Sequence, residues 1–306
     1  MRHIPNFLVV GAAKAGTTSL YHYLKQHPDV YLPPKKEHFF FAGLKKDMFS
    51  GRGSFYGRNI IENWDDYVSI FEEAATEKAV GEVCVAYLYF YENSIRNILR
   101  YVQPVPRIII ILRNPAERAF SNYKHHLRDG VEQLNFDEAI KPEIINRRKG
   151  ENWWWGFDYI DVGFYHRQVK AYLEAFGNEK VRIYLYEEIS KNLLGAIRDM
   201  FEFLEVDSSF IPDVSAKHNV TDVPRSRKLQ NFLSNYDHPL KKISRPLLLN
   251  TIGKEKTEKL VNYFKNKNSR KDNMEPDTKK YLIGVYRHDI LMLQDLINRD
   301  LSGWLE

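Results

Sequence analysis

Apolar runs alternate with amphipathic segments along most of the chain. The apolar runs are short and nearly continuous, as expected of parallel strands that are covered on both faces. They lie at about 6–11, 30–32, 80–91, 107–112 and 181–186. Segments with helical periodicity lie at about 17–26, 94–102, 115–129, 136–149, 165–176 and 193–204. Strands that alternate with helices predict an α/β protein with a central parallel sheet and right-handed crossovers.

Prolines mark two of the predicted boundaries. Pro28 ends the first helix, and Pro115 occupies the first position of the helix that follows the strongest apolar run. Residues 42–65 are rich in Gly, Lys, Arg, Asn and aromatic residues, so we expect an irregular insertion there. No repeat or low-complexity linker divides the 306 residues. We therefore expect a single domain over residues 1–306, with a helical last part at about 236–306.

A glycine-bounded loop follows the first predicted strand. Gly11 and Gly16 enclose this loop, and a helix begins directly afterwards at Thr17. Glycines let the backbone approach an anion, and a helix N-terminus directs free N–H groups and a positive dipole at it. The segment therefore predicts a phosphate cradle. It differs from a Walker loop because Thr17 occupies the position of the usual lysine, and the lysine lies inside the loop at Lys14.

The strand that should carry a metal ligand ends in a cation instead. In nucleotide triphosphatases an aspartate after a neighbouring apolar strand helps to hold Mg²⁺. Here the run at 107–112 is followed by Arg113. His125 and His126 are adjacent on a predicted helix and point about 100° apart, so they do not form a metal pair. We therefore expect a site that binds anions through protein cations, without a metal.

Two of these segments together resemble those of sulfotransferases that use 3′-phosphoadenosine-5′-phosphosulfate (PAPS). Residues 11–19 are similar to the 5′-phosphosulfate loop of that family, and residues 112–123 to its 3′-phosphate motif. Residues 36–41 resemble the Lys-Glu-x-His-Phe-Phe element of the carbohydrate, heparan-type branch. The resemblance covers about residues 4–235. It implies a P-loop-NTPase-like three-layer fold, PAPS as the sulfuryl donor, and 3′-phosphoadenosine-5′-phosphate (PAP) as the product, with no metal.

The resemblance also implies roles for donor-site residues. Lys14 would bind the bridging and leaving phosphate oxygens, and Arg113 with Ser121 would bind the 3′-phosphate. A late basic loop closes over the nucleotide in the family, which implies a contact from Arg225 and Lys228. The implied cofactor-binding set is Ala13, Lys14, Ala15, Gly16, Thr17, Thr18, Ser19, Arg113, Ser121, Arg225 and Lys228.

The acceptor hydroxyl or amine must lose a proton, and the resemblance implies Glu37 as the general base. The chain departs from the family pattern here. The usual histidine position holds Phe39, while His38 lies one residue earlier, so the base could instead be His38. Glu82 lies in another family-like segment and is a second carboxylate candidate for the acceptor site. Cys84, the one cysteine, lies in an apolar run where a thiol is usually inert.

Composition adds limits on partners and location. The net charge of +5 suits anionic ligands but is too mild to indicate nucleic acid, and a single cysteine excludes an internal disulfide. The first apolar run is too short for a signal peptide or a membrane span, which favours a bacterial-type cytoplasmic enzyme. Trp153, Trp154 and Trp155 cannot all face one core in a regular element, so at least one should line a groove or interface.

These observations predict a sulfotransferase that moves the sulfuryl group of PAPS to a hydroxyl or amine. The segment around Glu37 and the tryptophans favour a carbohydrate or glycosylated metabolite as the acceptor, while a lipid or polyketide stays open. A small-molecule nucleotide kinase is one alternative, but it would need a lysine after Gly16. A non-catalytic nucleotide-binding protein is another, although it would not need both Lys14 and Glu37.

Overall fold

Five parallel strands form the central sheet, in the order β2–β3–β1–β4–β5. The computed structural model describes residues 3–215, 223–224, 226, 269–270 and 272–306. The strands are β1 (Phe7–Gly11), β2 (Val30–Tyr31), β3 (Ala79–Val83), β4 (Arg107–Leu112) and β5 (Val181–Leu185). A separate antiparallel pair joins β6 (Val223–Pro224) to β7 (Ser269–Arg270). The predicted α/β class with a central parallel sheet is confirmed.

Helices connect the strands of the sheet. Within the described residues they are α1 (Thr17–Leu24), α2 (Trp64–Ser69), α3 (Ala86–Tyr89), α4 (Tyr91–Tyr101), α5 (Pro115–Arg128), α6 (Phe136–Ala139), α7 (Pro142–Gly150), α8 (Tyr165–Phe176), α9 (Tyr186–Lys191), α10 (Leu193–Phe203) and α11 (Pro276–Ile297). Short 3₁₀ segments lie at Lys46–Met48, Ser54–Asn59, Trp155–Phe157, Asp161–Gly163 and Ser302–Trp304. The first two occupy the stretch that was expected to be irregular.

Two element predictions were wrong. The stretch at 80–91 was expected to be β-rich, but the strand ends at Val83 and α3 follows it. Strand and helix residues are both buried there, so an apolar run alone does not separate the two states. The single helix predicted at 136–149 is two helices, because Pro142 starts a new one. Proline cannot continue a helix, since its ring removes a donor and crowds the preceding turn.

Strand β1 positions the glycine-bounded loop. Its five residues are fully buried, and it lies between β3 and β4, with Val9 paired with both Val83 and Ile109. Parallel strands present their carboxyl ends at one edge of the sheet, where α/β proteins bind ligands. The loop after β1 and the residue after β4 are therefore neighbours.

Two glycines allow the close packing beneath this loop. A Cβ at Gly11 would lie 2.5 Å from the Cβ of Leu88 in α3. A Cβ at Gly81 would lie 2.3 Å from the ring of Phe7. Both distances are too short for any side chain, so glycine is required for β1, β3 and α3 to pack this closely.

The last helix, α11, packs against α8. The hydroxyl of buried Tyr286 donates to the carbonyl of Ile160 at 2.8 Å. Asp289 accepts the backbone N–H of Tyr165 at 2.8 Å and that of His166 at 3.2 Å, which caps the start of α8. Apolar residues of α11 belong to the same hydrophobic cluster as the sheet. The assignment of residues 1–306 to a single domain stays a prediction.

Candidate active site

A cavity of about 850 Å³ opens at the carboxyl edge of the sheet. The loop after β1, the start of α1, the residue after β4 and one side of α5 form its walls. The cavity is lined by ten of the residues predicted for the site: Ala13, Lys14, Ala15, Gly16, Thr17, Thr18, Ser19, Glu37, Arg113 and Ser121.

The loop presents a helix N-terminus to this cavity. Gly16 has a left-handed φ of 86° and precedes α1, whose first intrahelical hydrogen bond runs from Leu20 N–H to the Gly16 carbonyl at 3.1 Å. The N–H groups of the first turn have no partner within the helix. No acidic residue lies in that turn, so its positive end is uncompensated there. The geometry is that of an anion cradle.

Lys14 lies in this loop among other cations. Burial above all, together with the nearby charges of Arg128, Arg113 and Lys36 and against that of Asp129, lowers the pKa of its ammonium to about 7. Its own φ of 70° is left-handed, which is uncommon for a residue with a side chain. An anion in the cavity would relieve the repulsion between these cations.

Arg113 and Ser121 line the same cavity from β4 and α5. The Arg113 guanidinium donates to the Lys14 carbonyl at 3.2 Å and lies over the Tyr186 ring, 4.9 Å from its centroid. Asn114 caps α5 by accepting the N–H of Ala116 at 3.0 Å, and Pro115 follows at the first helical position, as predicted. The end of β4 and the first turns of α5 thus place both side chains at the same cavity.

Glu37 lies beside the loop and is connected to it. Its Oε2 accepts the Val85 N–H at 3.1 Å, and its Oε1 lies 3.7 Å from the Lys36 ammonium. Lys36 in turn donates to the Thr18 hydroxyl at 3.1 Å. Burial raises the pKa of Glu37, although Lys36 and the Val85 N–H oppose that shift. This contact between Lys36 and the loop was not predicted from the sequence.

His38 and Glu82 are placed elsewhere than the sequence suggested. His38 Nδ1 lies 3.0 Å from Glu82 Oε1, and Glu82 Oε2 accepts the hydroxyls of Tyr67 at 2.8 Å and Tyr87 at 2.7 Å. Burial opposes the charge of Glu82, but the hydrogen bonds outweigh it and lower its pKa. Neither side chain lines the cavity. The pair lies in the core, where Glu82 has three side-chain hydrogen-bond partners, and a role of His38 or Glu82 in the reaction stays a prediction.

The aromatic wall of the cavity was only partly predicted. Trp154 and Trp155 line it, which confirms that the tryptophan cluster reaches a groove. Trp155 stacks on Tyr89 at 5.4 Å between centroids. Tyr56 from the irregular insertion and Tyr186 from α9 also line the cavity. No motif or periodic pattern indicates a role for these two residues.

Four further predictions concern residues or features away from this geometry. Arg225 and Lys228 lie outside the described residues. Within the part of the chain that is described, no group of three or more His, Cys, Asp and Glu side chains could hold a metal ion. In the same residues, no helix is both long and apolar enough to cross a membrane. Buried Cys84 has a thiol whose pKa is raised well above its ordinary value by burial.

A family model described as the sulfotransferase domain matches residues 5–274. The chain belongs to the sulfotransferase family. A crystal structure of a sulfotransferase from Alicyclobacillus acidocaldarius is 33% identical, covers 99% of this chain and 100% of its own, and superposes with a TM-score of 0.76. The resemblance to sulfotransferases and the predicted P-loop-like fold class are thus confirmed.

Curated sulfotransferases are more distant. Carbohydrate sulfotransferase 15 of Mus musculus is 22% identical over 255 residues, which covers 67% of this chain and 44% of that protein. Membrane-associated sulfotransferase kil1 of Dictyostelium discoideum is 22% identical over 311 residues, covering 76% of this chain and 63% of that protein. The chain therefore spans about half the length of these relatives. None of these matches favours a kinase.

Proposed function

We propose that this sulfotransferase moves the sulfuryl group of PAPS to a hydroxyl or amine of a carbohydrate-type acceptor, by in-line displacement without a metal ion. The observation that carries the proposal is one cavity in which Lys14 of the anion loop and the carboxylate of Glu37 are joined through Lys36 and Thr18. The cationic lining suits a ligand with two separate anionic ends. When bound, PAPS supplies the activated sulfuryl group.

The donor side of the cavity would hold and stabilise charge. The first-turn N–H groups and hydroxyls at the start of α1 would hold the 5′-phosphate, and Arg113 with Ser121 the 3′-phosphate. Lys14 would neutralise the charge that grows on the leaving phosphate oxygen. Sulfuryl transfer, like phosphoryl transfer, needs positioning and electrostatic stabilisation more than covalent help from the protein.

On the acceptor side of the cavity, a residue would remove the proton of the attacking hydroxyl or amine. Glu37 lines the cavity beside the loop, and its raised pKa makes it a stronger base than an exposed carboxylate. Lys36 holds one of its oxygens, which leaves the carboxylate oriented towards the anion loop. Trp154, Trp155 and Tyr56 offer aromatic faces of the kind on which sugar rings pack, and one similar protein is named a carbohydrate sulfotransferase.

The test combines donor and acceptor panels. Purified protein is incubated with radiolabelled PAPS and with desulfated heparan and chondroitin oligosaccharides, 4-nitrophenol or a hydroxylated fatty acid. We expect label on an oligosaccharide, unchanged by EDTA, and a larger thermal shift with PAP than with AMP. Transfer from ATP–Mg²⁺ would instead support a kinase, and equal thermal shifts would contradict the assignment of Arg113 and Ser121.

Two further predictions from the sequence, on a late basic loop and on the location of the enzyme, remain proposals. We propose that Arg225 and Lys228 close over the nucleotide, and that the enzyme is cytoplasmic. Alanine at both positions should weaken PAP binding, and fractionation of cells that express the chain should recover it with cytoplasmic markers.

A further inference from the structure

A chain of buried polar groups runs from the cavity wall into the core beneath α5. It begins at His126, which lines the cavity. His126 Nδ1 lies 2.9 Å from the Tyr159 hydroxyl oxygen, which lies 2.8 Å from Glu132 Oε2. The other oxygen of Glu132 accepts from the Arg148 guanidinium at 2.9 Å. His126, Glu132 and Arg148 are charged or titratable near neutrality. These three residues and Tyr159 are almost completely buried.

The direction of each hydrogen bond follows from the ion pair at its inner end. Arg148 and the backbone N–H groups of Gln133 and Leu134 all donate to Glu132, so this carboxylate is ionised and has no proton to give. The Tyr159 O–H must therefore donate to Glu132. Burial raises the pKa of Tyr159 well above its ordinary value, with the charge of Glu132 adding to the shift, so the phenol keeps its proton.

The position of the proton on His126, at the cavity end of these hydrogen-bonded groups, is fixed as a result. Because the Tyr159 O–H donates to Glu132, the Tyr159 oxygen can only accept a hydrogen bond from His126 Nδ1–H. Burial lowers the pKa of His126 well below its ordinary value, and the charges of His125, Lys14 and Arg148 act in the same direction against Asp129. A neutral imidazole with its proton on Nδ1 has a lone pair on Nε2.

The Cε1–Nε2 edge of the ring lies beside a residue that lines the cavity. A Cβ added to Gly156, which lines the cavity, would lie 3.5 Å from Nε2. Phe157 stacks on the ring face at 4.1 Å between centroids and so prevents it from tilting. Because Nδ1 is engaged by Tyr159, Nε2 is the ring nitrogen of His126 that can accept a hydrogen bond from a ligand group in the cavity.

We propose that His126 is a specificity-determining residue of the acceptor site, and that its Nε2 accepts a hydrogen bond from a hydroxyl of the acceptor beside the reacting group. Tyr159, Glu132 and Arg148 are positioning residues that hold the accepting tautomer. The inference rests on the proposed function and deepens it. It selects acceptors that carry a second hydroxyl near the sulfated position, as sugars do, over those with an ether or carbonyl there, whose lone pairs would face that of Nε2.

The tautomer can be measured without any acceptor. Two-bond ¹⁵N–¹H correlation spectra of the imidazole should give a protonated Nδ1 and an unprotonated Nε2 for His126 across the neutral pH range. Tyr159→Phe removes the group that fixes the proton and leaves the Glu132–Arg148 pair intact, so both tautomers should then be populated. A protonated Nε2 in the unmodified protein would overturn the proposal.

The role in recognition is tested by a matched pair of variant and substrate. His126→Asn keeps an amide donor for Tyr159 but has no group at the Nε2 position. With the best desulfated oligosaccharide from the acceptor panel, kcat/KM should fall about tenfold while PAP binding is unchanged. With the same oligosaccharide methylated at the neighbouring hydroxyl, the variant and the unmodified protein should have equal kcat/KM.

Other outcomes separate the two hypotheses. An equal loss on both oligosaccharides would assign His126 a purely structural role, and no loss on either would remove it from the acceptor site. Failure of the unmodified protein to transfer from PAPS to any acceptor would contradict the proposed function instead. In that case the imidazole spectra, recorded with PAP alone and with PAP and the oligosaccharide together, still decide whether a hydroxyl binds Nε2, because a bound donor should shift its resonance beyond the change that PAP alone causes.

Discussion

At the residue scale, the cavity holds several cations that repel one another. Lys14, Lys36 and Arg113 all line it, and the lowered pKa of Lys14 records both burial and that repulsion. Such a group gains most when a negative charge arrives, and most of all when that charge is growing in a transition state.

Replacement of Lys14 by Ala should therefore reduce turnover far more than PAP binding. Loss of one preorganised contact of this kind costs on the order of 10²–10³ in rate. Steady-state kinetics with labelled PAPS and calorimetric titration with PAP measure the two effects separately. Lys78→Ala, at an exposed lysine paired with Asp29, is the matched control and should change neither. Normal turnover with weaker binding in Lys14→Ala would contradict the role.

The pKa of Lys14 also predicts proton uptake when PAP binds. Below a pH of about 7 the ammonium is already charged, so binding needs no proton. Above that pH it is neutral in the free protein, and the anion favours its protonated form, so uptake should rise towards one proton and affinity should fall. Calorimetry in buffers of different ionisation enthalpy measures this uptake. In Lys14→Ala the pH-dependent part should disappear.

Glu37→Gln should abolish transfer and leave PAP affinity nearly unchanged, because glutamine keeps the size and hydrogen bonding but cannot take a proton. The pKa of Glu37 is raised above 4.5, and only the ionised form is a base. Activity should therefore be lost as pH falls through that raised value, and regained as pH rises. The pH profile of kcat/KM tests the sign, and Glu72→Gln on the surface serves as the control.

At the element scale, the loop depends on how closely β1 packs against α3. Gly11→Ala would force a Cβ to within 2.5 Å of Leu88, so a helix or the loop must move. We expect destabilisation of roughly 1–3 kcal/mol, as for an overpacked core, together with weaker PAP binding.

The same substitution elsewhere provides the control. Gly284 lies within α11 with no atom within 4 Å of an added Cβ, so Gly284→Ala should stabilise the fold by about 0.5–1 kcal/mol through helix propensity alone. Denaturant unfolding of both variants gives the comparison. Equal effects at the two positions would show that the contact with Leu88 is unimportant.

The elements themselves were largely predictable, but the orientation of side chains between them was not. Continuous apolar runs gave β1, β4 and β5, and Pro115 gave the start of α5. The position of the His38 side chain was not predictable, because the neighbouring Glu37 and Phe39 have left-handed φ values of 65° and 63°. Such values redirect the chain, so His38 turns into the core, and no periodicity reports them. The polar chain behind His126 was also hidden, since its members are far apart in sequence.

At the scale of the whole molecule, the segment that follows α11 contacts the side of the cavity that carries Arg113. The Asn114 amide donates to the Trp304 carbonyl at 3.4 Å, so the residue beside Arg113 is tied to the end of the chain. Tyr286 of α11 is completely buried and donates to the carbonyl of Ile160, which precedes α8 in the chain. The C-terminal segment without a recognised motif thus shares a core with the motif that carries Arg113.

Tyr286→Ala should consequently destabilise the protein by about 3–5 kcal/mol, as expected for a large aromatic removed from a core. Tyr286→Phe removes only the hydroxyl that donates to Ile160 and should cost about 1 kcal/mol. Tyr281→Ala, at an exposed position on the same helix, is the control and should have almost no effect. Thermal unfolding followed by circular dichroism measures all three, and a small effect of Tyr286→Ala would contradict a shared core.

The left-handed backbone of Lys14 and Glu37 has a consequence for how this enzyme could be evolved. Each position costs about 1 kcal/mol more than it would with glycine, and each carries a group to which the proposed mechanism gives a chemical role. Selection for thermal tolerance alone would therefore favour glycine at both positions. The resulting protein would be more stable but, on the proposed mechanism, inactive. The trade-off between stability and activity thus lies at Lys14 and Glu37, so a stabilised variant should be sought by changes elsewhere in the chain.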